Sequence, residues 1–106
     1  MDRKTYDALT ASVEKWRKNA EVPAAEGAIG ARNCPLCELF LDDNCRGCPV
    51  FEATGYRGCI RTPYFDAAEE RHECRFYGAP DSAWQAAAQA EADFLAALVP
   101  AGGPED

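Results

Sequence analysis

Alternation of apolar and polar residues is missing: no run is long enough to make a convincing strand, so a sheet-based fold is not expected. Long apolar runs are absent too. The longest nearly apolar segment, Phe94 to Val99, is far too short to cross a bilayer. The opening Met1-Asp2-Arg3-Lys4 has no apolar run behind it and does not read as a secretory leader, which makes a reducing cytoplasm the expected compartment. Cations are scarce towards the C-terminus, where residues 76–106 carry five acids and no Lys or Arg. With a net charge of −7, general binding to nucleic acid or to an anionic membrane is disfavoured. Nor is there a phosphate-cradling loop, a nucleophile elbow or a catalytic pair, so an enzyme is not expected.

What remains is small and rich in cysteine. A chain of 106 residues makes one domain whose core gives modest stability. Its hydrophobic content of 47% includes much alanine, which removes little surface from water. An added constraint is therefore expected, and the six cysteines are its source. Their density is below that of a disulfide framework. In a reducing compartment, paired C-x2-C motifs point to metal ligands before disulfides or redox thiols.

Helical periodicity accounts for most of the rest. From Asp2 to Asn19, Tyr6, Leu9, Val13, Trp16 and Ala20 fall on one face, with Asp2 or Thr5 as cap and Lys15, Arg17 and Lys18 towards the end. Residues 23–31, PAAEGAIGA, read as a flexible connector. A Thr-Pro start at Thr62-Pro63 opens a helix ending at Gly78, with Tyr64, Ala67 or Ala68, Arg71 and Cys74 on one face. A last helix from Ser82, with Ser82 and Gln85 as a capping box, runs to about Val99 and carries Trp84, Ala88, Glu91 or Ala92, Leu95 and Leu98 as its stripe. The prediction is a mainly α, small single domain over 1–100. Its two longer helices, the first and the last, are antiparallel, with short helices around a cysteine-rich metal-binding segment at 33–64. A disordered tail at 101–106 completes it.

The segment from Asn33 to Tyr64 holds five of the six cysteines, as C-x2-C, seven residues, C-x2-C, ten residues, C. Inside it, Cys34-Pro35-Leu36-Cys37-Glu38 is echoed by Cys48-Pro49-Val50-Phe51-Glu52, so each copy predicts a short helix with a cysteine at its N-terminal edge. Thiolates at i and i+3 reach two corners of a zinc tetrahedron, and a helix start lowers thiol pKa towards the form a metal needs. Cys34, Cys37 and Cys48 are the surest ligands, and Cys45 and Cys59 compete for the fourth place. Cys74 lies outside this set and is expected to be a buried thiol, with His72 beside it at the surface. An iron–sulfur or redox centre is an alternative, because Cys48-Pro49 matches the end of a ferredoxin motif whose other spacings are absent here. Glu38 and Glu52 read as first-turn carboxylates rather than as bases of a catalytic zinc. A nucleic-acid-binding zinc module, using Arg46, Arg57 and Arg61 with Tyr56 or Tyr64, is the other alternative.

The motifs C-x-L-C, C-x-G-C-P-V, Thr-Gly and C-x-x-T-P-Y, with Asp93-Phe94-Leu95-Ala96-Ala97-Leu98 in the closing helix, resemble a group of small cysteine-rich proteins of phage genomes and prophage-carrying bacteria. The resemblance covers about two-thirds of the chain. It implies a metal-binding accessory protein without an assigned activity, carries over only the five cysteines, and leaves Cys74 outside. The expectation is a zinc-stabilised, zinc-finger-like helical adaptor that acts through a protein partner, with no membrane role.

Overall fold

Asp2 sets where the first helix begins. Its carboxylate accepts the Thr5 backbone N–H at 2.8 Å, satisfying a donor that has no partner inside the helix. From there α1 spans Arg3–Asn19 in the computed structural model, which describes residues 1–30, 33–56, 59 and 61–105. Two short helices follow, α2 (Pro35–Phe40) and α3 (Pro49–Thr54), each entered through proline directly after a cysteine. Helix α3 stops at Gly55, whose φ of 77° is left-handed. Helix α4 (Pro63–Tyr77) is capped by the Thr62 hydroxyl, which accepts the Tyr64 N–H at 3.1 Å, and it ends at left-handed Gly78. Helix α5 spans Asp81–Ala96. The domain is mainly α. Among the described residues there is no strand, only an isolated bridge between Asp2 and Glu105. The short extended piece that the sequence allows at most over 56–60 falls largely outside the described residues.

Helices α1 and α5 pack together and run antiparallel. The Gln85 amide near the start of α5 donates to the Val22 carbonyl just past the end of α1, at 3.2 Å. At the opposite end, Leu98 shares a groove with Met1 and Thr5. Leu9, Val13 and Trp16 from α1 meet Trp84, Ala88, Ala92 and Leu95 from α5, all buried. Alanines at 88 and 92 leave room for close approach, and Ala67 of α4 closes the other side of α5. Burying each large apolar side chain stabilises the fold by about 1.5–3 kcal/mol. Three aromatics form a chain through this core. The Trp84 and Trp16 rings are 6.1 Å apart, and Tyr64 meets Trp16 edge-on at 5.8 Å.

Three features differ from expectation. The connector is pinned rather than flexible. Buried Asn19 pairs with the backbone of Ala28 through both amide atoms at 3.0 Å, and Asp81 accepts the Ala24 N–H at 3.0 Å. Gly27 lies so close to the Trp84 ring that a Cβ there would collide with it. The Ser82–Gln85 capping box is not formed: α5 begins one residue earlier, after Pro80, with no side-chain cap. Gln85 bonds the Val22 carbonyl instead, so a backbone group made available by the fold displaces the local cap. Finally, residues 101–105, expected to be a disordered tail, return to the N-terminus, where the Glu105 N–H donates to the Met1 carbonyl at 2.7 Å.

Candidate metal centre

Five cysteines spread over 26 residues of sequence line one cavity. The C-x2-C turn at the start of α2 brings Cys34 and Cys37 together, and the Cys37 backbone N–H donates to the Cys34 sulfur at 3.3 Å. A tight loop then carries Cys45 and Cys48 to the start of α3, with the Cys45 N–H on the Phe40 carbonyl at 2.8 Å and the Cys48 N–H on the Cys45 carbonyl at 3.1 Å. Gly47, left-handed at φ 84°, allows that turn. Cys59 completes the set just before α4. Asn44, Cys45 and Cys59 all have φ between 54° and 65°, a left-handed backbone that costs non-glycine residues and concentrates at functional sites.

Cys34, Cys37, Cys45, Cys48 and Cys59 are among the residues that line a mostly apolar cavity of about 150 Å³, and no two of the six cysteines are bridged. Both rivals for the fourth ligand position, Cys45 and Cys59, are therefore present at the same site. The thiols ring the space rather than converge. Among the described residues, no three His, Cys, Asp or Glu side chains are already placed to hold one metal ion. The α1 wall contributes Ser12, Lys15 and Trp16, and the α5 wall contributes Glu91 and Leu95.

The electrostatics follow from burial. The Cys34 thiol is held below its usual value, chiefly by hydrogen bonding from Cys37, and the same bond together with burial pushes Cys37 up. Burial raises Cys48, and it pushes Cys59 up to about 12 with help from the nearby Glu91 carboxyl. Cys48 thus departs from the expectation that a helix start would lower it: burial outweighs the N–H groups of a six-residue helix. Lys15 is lowered by desolvation, which the thiols and Glu91 oppose. Its Nζ donates to the Asn33 carbonyl at 2.7 Å and lies 5.0 Å over the Trp16 ring, fixing a cation beside the thiols.

Glu91 had no role in the sequence reading beyond a place on the α5 stripe. It is 2% exposed and faces the cavity. Its Oε2 lies 3.3 Å from the Thr62 hydroxyl, which donates to the Cys59 carbonyl at 2.9 Å, while Oε1 has no partner. Burial pushes its carboxyl up to about 7. The available signal was a lone acid on an otherwise apolar stripe.

Most of the remaining candidates lie elsewhere. Cys74 is away from the cavity and only partly buried, rather than the buried thiol expected, with its sulfur on the Pro80 carbonyl at 3.4 Å. It lines a separate pocket with Ala24, Ala25 and Asp81. His72 is at the surface against Phe76, as expected. Glu38 and Glu52 are exposed and do not line the cavity. Of the alternative nucleic-acid residues, Arg46 and Arg61 are exposed, exposed Tyr56 and half-buried Tyr64 do line the cavity, with Tyr64 against Trp16, and Arg57 lies outside the described residues. No helix among the described residues is long and apolar enough to cross a membrane. No protein-family model, curated protein or solved structure matches the chain.

Proposed function

We propose that this protein is a small zinc-stabilised helical adaptor, a phage-type accessory protein that works by binding another protein. The observation that carries the reading is the meeting of five unbridged thiols on one cavity, reached from three separate stretches of chain. Among the described residues, the segment buries besides cysteines only Leu36, Pro49, Val50 and Thr62, which is little to order some thirty residues. Zinc bound by four thiolates would supply the missing constraint, since the binding energy of a structural ion is folding energy. A protein partner is favoured by the acidic surface and by the exposed aromatics of α4, Phe65, Phe76 and Tyr77.

Metal analysis of the full chain, purified without air and with its optical spectrum, tests this. Stoichiometric zinc in a colourless protein that melts lower with a strong chelator is the expected result. Metal-free protein with unchanged melting would sink it, and visible absorption with iron would replace it with the iron–sulfur alternative. A second reading, nucleic-acid binding, draws on the exposed Arg61 guanidinium held 4.7 Å over the Tyr56 ring. The charge of −7 opposes it.

A further inference from the structure

We propose that the thiol cavity is a two-cation site and that Glu91 supplies its one donor that is not sulfur. This deepens the zinc reading and rests on it. A single ion in a thiolate tetrahedron sits about 2.3 Å from each sulfur and needs no hollow around it. Here the five thiols and Glu91, together with apolar side chains such as Leu36, Phe40 and Val50, line a cavity of about 150 Å³, where one water needs roughly 10–15 Å³.

The donor count agrees with the volume. Two tetrahedral ions offer eight coordination positions in all, and two bridging thiolates fill four of them, leaving four for terminal donors. Six donors are therefore required. Five are the cysteines, one more than a single closed site can use, and Glu91 is the sixth. Its carboxylate is buried on the cavity wall, with Oε2 held by Thr62 and Oε1 unpartnered. A buried carboxyl oxygen without a partner is rare in proteins and marks a place for a water or an ion, and the thiols lining the same cavity favour the ion. The Lys15 charge is felt at Glu91, but its Nζ donates to the Asn33 carbonyl and makes no hydrogen bond to Oε1. An ion at Glu91 would join α5 to the cysteine segment, tying the helical core to the metal loop.

Zinc itself is the probe. The full chain is loaded with zinc, cleared of loosely held ion, and its zinc-to-protein ratio measured for the native sequence, E91Q and C34S, with far-UV circular dichroism as the folding control. Two zinc ions per native chain, one in folded E91Q and fewer than two in C34S are the expected values. One ion per native chain overturns the second site but leaves the zinc adaptor standing. Two ions in both the native chain and E91Q remove Glu91 from the coordination. No zinc at all, or iron with acid-labile sulfide, overturns both readings. Because the native chain alone distinguishes one ion from two, misfolding of E91Q does not shield the proposal.

Discussion

Replacing Gly27 by alanine tests the packing behind the cavity through the sign of its effect. The backbone there has φ −69° and ψ 141°, which alanine adopts freely. On backbone grounds alone, Gly27→Ala should therefore stabilise the fold by about 0.4–1 kcal/mol, by restricting the unfolded chain. The structure reverses that expectation, because the new Cβ meets the Trp84 ring. Trp84 is fully buried and backed by Trp16, so it cannot swing aside without disturbing the core. The connector cannot lift away freely either, since Asn19 and Asp81 hold it on both sides of Gly27. Overpacking of this kind costs about 1–3 kcal/mol. At about 4–8 °C per kcal/mol for a domain of roughly this size, the midpoint should fall by about 4–24 °C. Thermal melting followed by circular dichroism measures it. Gly102→Ala, with nothing within 4 Å of the added Cβ, is the control expected to change little. A Gly27→Ala protein that melts at or above the native temperature would show that the connector does not rest on Trp84.

Two further outcomes separate the site from the scaffold. Cys74→Ser should leave zinc content unchanged and melting close to native, while Cys48→Ser should lower both; equal effects would place Cys74 in the centre. Thr62→Ala removes the α4 cap together with the contacts to Cys59 and Glu91, and should cost about 1–2 kcal/mol in chemical denaturation, with Thr62→Ser recovering most of it.

Starts and stops were legible because their causes are local. Proline after Cys34, Cys48 and Thr62 announced three helix starts, and Gly55 and Gly78 announced two ends. The core stripes of α1 and α5 followed from spacing. What escaped was settled by partners distant in sequence. Asn19 looks like the polar end of a helix until its amide finds Ala28. Gln85 looks like half of a capping box until the end of α1 offers it the Val22 carbonyl. Glu91 is one acid on an alanine-rich helix until Thr62 and Cys59 arrive beside it. Equally hidden was the suppression of the helix-start effect at Cys48, which depends on how deeply the folded chain covers that thiol.

The left-handed backbone at Cys45 and Cys59 bears on how any mutational survey of the sulfurs is interpreted. Exchange for glycine at either place removes a thiol and simultaneously relaxes the main chain, two changes of opposite sign. Serine or alanine there deletes the sulfur and leaves the torsional burden intact. Cys48, at φ −64°, offers no such relief. A scan that used one replacement throughout would therefore rank the five positions by a blend of chemistry and conformation, and pairing glycine with serine at each site separates the two.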